Sequence, residues 1–390
     1  MSDSKIQTPS EVAPDEERQQ EAREYARINR RLMGVELVLA LDLVVAFLVT
    51  GASKGFKQLL LAAGLTSPWL LVPVYVGFLY LAYTVFLLPL SWWQGYVLRH
   101  RYDLSTQSLE SWWEDQLKMH GLSLALMLPV VEVVYWMLRS QPNSWWIWTA
   151  GLMVVLSVIL GYLLPVLFVP LFYDLTPLED EELVRRIERL AEETDTVVAG
   201  VYTIDLSTRT TAANALVMGM GRTKRIALGD TLYEDFTPDE IETILAHELA
   251  HQVHHDTEIG VVVQSVLMVA SLYVAHRFLR WGVGYFGFDG PGDVAALPLL
   301  MLATALFSLL TMPLLNAYSR WRERAADHYA LRVTGKAEAF ARAMLRLANQ
   351  NLAELEPPDW VVWLLYSHPP IMERVELART YPHQGIRDSG

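Results

Sequence analysis

The chain has 390 residues, 52% of them hydrophobic, and a formal net charge of −13. A mean hydropathy of +0.22 and 13 tryptophans place it with membrane proteins rather than with soluble multidomain chains. The lack of cysteine excludes disulfides, thiolate metal sites and cysteine nucleophiles, and the acidic balance argues against nucleic acid as a partner.

Residues 1–31 read as a polar tail, disordered or loosely helical to about Arg23. It has no apolar core or small-residue cleavage site, so no signal peptide is expected. A spanning helix needs about 20 mostly apolar residues. Six stretches qualify, at about 32–50, 68–93, 119–138, 145–172, 259–281 and 292–316. Glu36 and Asp42 interrupt the first and Glu132 the third. Acids at that depth are costly and face a bundle interior or a wet cavity; they either serve function or pair with one another and with backbone donors. Trp92, Trp93, Trp145 and Trp146 lie near span ends, as an interfacial aromatic belt would. Lys and Arg are concentrated before the first span, after the second and after the fourth. That bias predicts a multi-pass protein of the cell membrane, with both termini and residues 173–258 cytoplasmic.

The expected organisation is therefore a tail (1–31), four spans (32–172), a polar insert (173–258), two spans (259–316) and a C-terminal helical part (317–390). In the insert, Thr176-Pro177 opens a charged amphipathic helix, LEDEELVRRIERLAEE. Three β-like runs follow at 197–204, 214–220 and 225–229, punctuated by glycine, and predict a small three-stranded sheet. Thr237-Pro238-Asp239-Glu240 then carries a capping box and a first-turn proline, a helix start.

That helix holds His247-Glu248-Leu249-Ala250-His251. Two imidazoles four residues apart share one helix face and can grip one metal ion. Glu248 beside them is placed to take a proton from a water at the metal. Zinc hydrolases use three protein ligands and leave one position for water. His254 lies seven residues beyond His247, about 10 Å along a helix, too far for bonds of about 2 Å. It is expected at an interface or behind the ligands. After the sixth span, Arg320, Glu323 and Asp327 share one face. Glu323 could ligate zinc while Asp327 holds a ligating imidazole; the alternative is an ordinary charged juxtamembrane helix.

HELAH at 247–251, SRWRERAAD at 319–327 and SHPP at 367–370, in that order, resemble the CAAX prenyl protease 1 family of integral-membrane zinc metallopeptidases. AANALVMG, KRIALGDTL, PLFYDLTPL and YVLRHRYDLSTQSLESWWEDQLK fit the same pattern, so the likeness covers roughly residues 68–380. The resemblance implies a predominantly α polytopic fold, with helices ringing a water-filled chamber and a gluzincin-like zinc site facing it. It implies one Zn2+ held by His247, His251 and Glu323, with Glu248 as general base. Asp327 becomes the acid supporting a ligand and His368 the group beside the substrate carbonyl or oxyanion. Asn214 and Ala215 begin a strand on which substrate backbone pairs. The partners implied are the lipid bilayer and a peptide or protein substrate, prenylated or membrane-embedded.

Eukaryotic members have seven spans against the six counted here, the missing one lying before YVLRHRYDL. With no compartment-retention signal, a prokaryotic plasma membrane is expected. Membrane-protein quality control, as in HtpX-like proteases, is the alternative role. A rival of another class is a non-catalytic membrane scaffold with structural zinc; the intact Glu248 argues against it, and structural zinc sites close with four protein ligands.

Overall fold

The computed structural model describes residues 14–219, 221 and 224–382, with residues 162–168 described by backbone alone. The expected tail is thus outside the described residues up to position 13. From there it is ordered. Helix α1 (Glu16–Val49) starts at Asp15, whose carboxylate accepts the Arg18 N–H at 3.0 Å. Its opening turns are helical because they are docked: Gln19 is buried and donates to Ala353 O at 3.2 Å, while its Oε1 accepts the Leu355 N–H at 3.1 Å.

The short α2 (Ala52–Ala62) follows, then α3 (Pro68–Trp92), which passes through a π-helical stretch (Trp93–Leu98) into α4 (Arg99–Arg101). Next come α5 (Leu109–Ser140) and α6 (Trp145–Phe172). Among the described residues, five helices are long and apolar enough to cross a membrane: α1, α3 with its continuation to Arg101, α5, α10 (Asp256–Phe286) and the segment Val294–Thr334 containing α11 (Leu297–Thr334). Helix α6, 28 residues long, lies at the remaining expected span; its described side chains, Trp145–Gly161, make a shorter apolar helix.

The membrane helices share a core around Tyr75, Tyr135, Leu138, Trp145, Leu279 and Leu299. In lipid the hydrophobic effect does not draw helices together, so close packing and buried hydrogen bonds must. Tyr75 donates to Ser53 O at 3.1 Å, and Trp145 Nε1 donates to His276 Nδ1 at 3.1 Å. Trp145 is therefore a core residue, 1% exposed, and not part of the expected aromatic belt. Glu132 is answered within its own helix by Arg139, at 3.1 Å.

Between α6 and α10 lies a second unit: β1 (Leu175–Pro177), α7 (Glu181–Glu193), β2 (Gly200–Ile204), β3 (Ala215–Met218), β4 (Arg225–Gly229), α8 (Asp230–Asp235) and α9 (Pro238–Val253). The sheet has four strands, not three, in the order β1-β2-β4-β3. The extra strand uses Thr176-Pro177, expected to open a helix; Asp180 caps α7 instead, accepting the Glu182 and Leu183 N–H groups at 3.0 Å. Strands β2 and β4 are parallel, and β3 runs antiparallel to β4 as an edge strand. The chain ends with α12 (Ala337–Gln350), α13 (Asp359–Leu365) and α14 (Ile371–Thr380). One core joins α7, α9, α12, α14 and the sheet, with Ile187, Ile226, Leu228, Leu245 and Phe340 fully buried. Each such side chain contributes about 1.5–3 kcal/mol, and Leu245→Ala would remove roughly 2–5 kcal/mol. That core fixes α9 against the end of α11.

Candidate metal centre

Helix α9 begins on the expected capping box. Thr237 Oγ1 accepts the Glu240 N–H and Glu240 Oε2 accepts the Thr237 N–H at 2.9 Å, with Pro238 in the first turn. This start sets the face on which His247 and His251 stand, ring centroids 4.9 Å apart. Helix α11 brings Glu323 across them: Oε2 lies 3.1 Å from His247 Nε2 and Oε1 lies 3.6 Å from His251 Nε2. Ligand atoms of the three residues fall within 4.8 Å of one another.

The far side of each imidazole is held by a carboxylate. His247 Nδ1 is 2.9 Å from Asp327 Oδ1, and His251 Nδ1 is 2.7 Å from Asp256 Oδ2. Both carboxylates accept, which assigns the proton of each neutral ring to Nδ1 and leaves the Nε2 lone pairs facing the centre. Asp327 is itself clamped by Arg374, through Nη2 at 2.6 Å and Nε at 2.9 Å. Asp256 is paired with Arg322, which also donates to His254 O at 3.0 Å.

Two imidazole nitrogens and a carboxylate then face one another, and buried Glu323 Oε2 lies 3.1 Å from His247 Nε2, a gap that a proton or a metal ion must bridge. This arrangement needs a cation. Two imidazole nitrogens and one carboxylate oxygen suit a divalent transition metal, zinc among them. The electrostatics agree. Burial opposes a charged His247, but its hydrogen bonds to Asp327 and Glu323 outweigh that and lift its pKa to about 9. The same field attracts a proton or a metal ion.

Glu248 is partly buried, and burial pushes its carboxyl up. Among the described residues its side chain makes no hydrogen bond, so it is free to exchange a proton with water. His254 stands behind the site, packed edge-on to Tyr329 at 5.3 Å, as the helix-rise argument requires. His368 lies between α13 and α14, Nε2 3.5 Å from Glu323 Oε1, its side chain 59% exposed. Buried Arg320 points away from the ligands and donates to Val362 O at 2.8 Å and Tyr366 O at 2.6 Å, pinning the turn that carries His368. Ala215 opens edge strand β3, which packs against α9, and Asn214 immediately precedes it.

Asp256, Arg374 and Arg322 escaped the sequence reading. Asp256 reaches His251 because His255 between α9 and α10 takes a left-handed conformation, φ 53°. Such a residue costs about 1–2 kcal/mol, and a histidine between two helical patterns was the available signal. A cavity of about 980 Å³ starts at His251, Asp256 and Glu323 and continues between the membrane helices past Leu267, Met268, Thr304 and Phe307 to Trp145.

The fold and site together define a polytopic helical membrane protein with an HExxH metal centre built across the join between its membrane and extramembrane parts. Residues 177–381 match peptidase family M48, and residues 2–174 match the family described as CAAX prenyl protease N-terminal, five membrane helices. The chain belongs to peptidase family M48 and is a membrane metalloendopeptidase, acting on peptide or protein substrates. It is 34% identical to the uncharacterized metalloprotease YhfN of Bacillus subtilis, over 95% of this chain and 86% of that protein. It is 30% identical to a CAAX prenyl protease 1 homolog of Arabidopsis thaliana, over 74% and 68% of the two chains. The crystal structure of S. mikatae Ste24p shares the fold, with TM-score 0.84 over 95% of this chain and 93% of that one at 24% identity. The resemblance seen in the sequence is thus borne out, and neither the quality-control role nor the non-catalytic scaffold is favoured. In the N-terminal region the short α2, outside the six expected spans, joins the four long helices.

Proposed function

We propose that the metal is zinc, held by His247, His251 and Glu323, and that the substrates carry an apolar, membrane-lodged portion beside the bond that is cut, a prenyl group among the candidates. The observation that carries this reading is the continuity of the cavity: His251, Glu323 and the apolar side chains of α10 and α11 line one space. Curated relatives are named CAAX prenyl proteases, which supports the prenylated substrate class.

When bound, zinc polarises the scissile carbonyl and lowers the pKa of a water to about 7. Glu248 takes that water's proton and returns it to the leaving amine; its raised carboxyl suits both tasks. His368, exposed toward incoming substrate, donates to the carbonyl oxygen as charge develops there. Asp327 and Asp256 keep the imidazoles oriented. The outward backbone groups of Ala215 pair with substrate as an added strand, while Asn214, expected to share that role, has its carbonyl taken by the Gly229 N–H.

The opening turns of α1 bind residues 349–355, which supports placing the start of α1 and the catalytic unit on one membrane face. The Lys and Arg bias supports the cytoplasmic face, and the Bacillus relative supports a bacterial cell membrane.

The test is peptide cleavage by the purified, zinc-loaded protein in lipid nanodiscs, with each peptide offered plain and S-farnesylated. Cleavage should vanish in Glu248→Gln, with zinc content unchanged, and should be faster on the farnesylated peptide. Near-normal turnover by Glu248→Gln rejects the mechanism, and equal rates on the two peptides reject the substrate class.

A further inference from the structure

The loop that follows α12 reaches back to the start of β3. Asn351 caps α12, and its side-chain amide meets the backbone of Ala213 twice: the Ala213 N–H donates to Oδ1 at 2.8 Å, and Nδ2 donates to Ala213 O at 3.0 Å. One amide thus offers Ala213 the donor and acceptor that a neighbouring strand would offer.

The ladder shows which edge this occupies. In an antiparallel pair, residues alternate between groups directed at the partner strand and groups directed away from it. Asn214 O accepts the Gly229 N–H at 2.9 Å, so Asn214, Leu216 and Met218 are directed at β4. Ala213, Ala215 and Val217 are directed at the open edge. The Asn351 amide therefore fills the first outward position of that edge. Ala215 has its N–H held at 2.9 Å by the side chain of Asn214, a local contact that an arriving strand can displace. Among the described residues, no other hydrogen bond engages the outward groups of Val217.

The stop is firmly held. Gln350 donates to Thr211 O at 2.9 Å and Thr231 to Ala212 O at 2.9 Å. On the other side of Asn351, Gln19 of α1 fixes Ala353 and Leu355. The segment is thus tied to both α1 and α8.

We propose that Asn351 is the register-setting residue of this peptidase: its amide closes the free edge of β3 at Ala213, so a bound substrate strand pairs only from Ala215 onward and presents one bond to the metal. This rests on the reading of β3 as the edge that receives substrate. Asn351 acts through the β3 backbone and touches no reacting atom. With the amide gone, the edge gains one outward position. Pairing repeats every two residues, so a strand can then slip by two residues and bring a different bond to the fixed metal.

The experiment maps products by mass spectrometry, using the zinc-loaded full chain and the farnesylated peptides above, extended at both ends. Wild type should cut one dominant bond. Asn351→Ala should add cleavage two residues away, and one extra pair of hydrogen bonds corresponds to a rise of roughly tenfold in that product's share. Asn351→Asp keeps the acceptor for the Ala213 N–H and loses the donor, so it should fall between. Zinc content and unfolding temperature are measured for each variant; if Asn351→Ala fails to fold, Asn351→Asp decides. An unmoved product map in the folded, zinc-loaded variants overturns the proposal while leaving the peptidase reading intact. Absence of zinc- and Glu248-dependent cutting by the wild type overturns both.

Discussion

Asp256 and Asp327 do the same work for the metal and different work for the fold, and a paired substitution separates the two. Each carboxylate orients one imidazole, at 2.7 Å and 2.9 Å. Removing such a partner typically costs 10- to 100-fold in metal affinity, about 1.4–2.7 kcal/mol. Asp256→Ala and Asp327→Ala should therefore weaken zinc binding comparably. Their effects on the metal-free protein should diverge. Asp327 and Arg374 have side chains 1% and 9% exposed, so Asp327→Ala strands a buried guanidinium, a loss of roughly 3–5 kcal/mol. Asp256 and Arg322 are more open, at 13% and 16%, and Arg322 keeps its bond to His254 O. Asp256→Ala should then cost about 1–3 kcal/mol. Chelator competition gives the zinc affinities, and denaturant unfolding of the metal-free proteins gives the stabilities. Zinc affinity within twofold of wild type for Asp256→Ala would refute its role in holding His251. Equal destabilisation by the two variants would refute the argument from burial.

Three further outcomes follow from the same geometry. Glu323→Ala should remove most of the bound zinc whereas His254→Ala should not, since His254 faces Tyr329 and not the ligand cluster; metal analysis in the reverse order would mean the ligand set is wrong. His368→Ala should lose about 100- to 1,000-fold in kcat if it serves the developing oxyanion, with zinc and thermal stability kept; unchanged turnover, or a loss of stability, assigns it to holding the chain before α14. Because the chain has no cysteine, Glu234→Cys at an exposed position of α8 gives a single label site; it should react with an impermeant reagent only in opened cells, and labelling in intact cells overturns the cytoplasmic orientation.

The parts of the fold legible in the sequence are those fixed by neighbours along the chain. Apolar runs marked the long helices, and Thr237, Pro238 and Glu240 marked the start of α9 to the residue. The β4 run at 225–229 was also found at its observed bounds. What escaped depends on distant partners. The opening turns of α1 read as a loose tail because Arg18 and Gln19 are satisfied by Asn349, Ala353 and Leu355 at the opposite end of the sequence. Strand β1 is three residues long and exists only through its pairing with β2. Trp145 looked interfacial by its position at a span end, and its burial depends on His276 in another helix. At the site, His247, Glu248 and His251 were readable from spacing alone. Spacing also offered Glu323, with an ordinary charged helix as the alternative, and only the resemblance chose between them, because nothing local shows that α11 crosses α9.

That crossing explains why a metal motif runs directly into a membrane helix. His247 and His251 belong to a helix fixed by the soluble core, whereas Glu323 belongs to a helix that runs from the membrane core at Leu299 to the soluble core at Ala330 and Leu331. The three candidate ligands thus come from two helices, and α9 alone carries only two of them. Their alignment relies on the break at His255, which turns the chain from α9 into α10 and brings Asp256 back onto His251. It relies equally on Arg322, which ties α11 to Asp256 and to the carbonyl of His254. The residues that orient the ligands are thus the residues that dock the two units. A cation bound between His251 and Glu323 would bridge the same seam, so metal binding and docking of the catalytic helix to the membrane bundle reinforce each other.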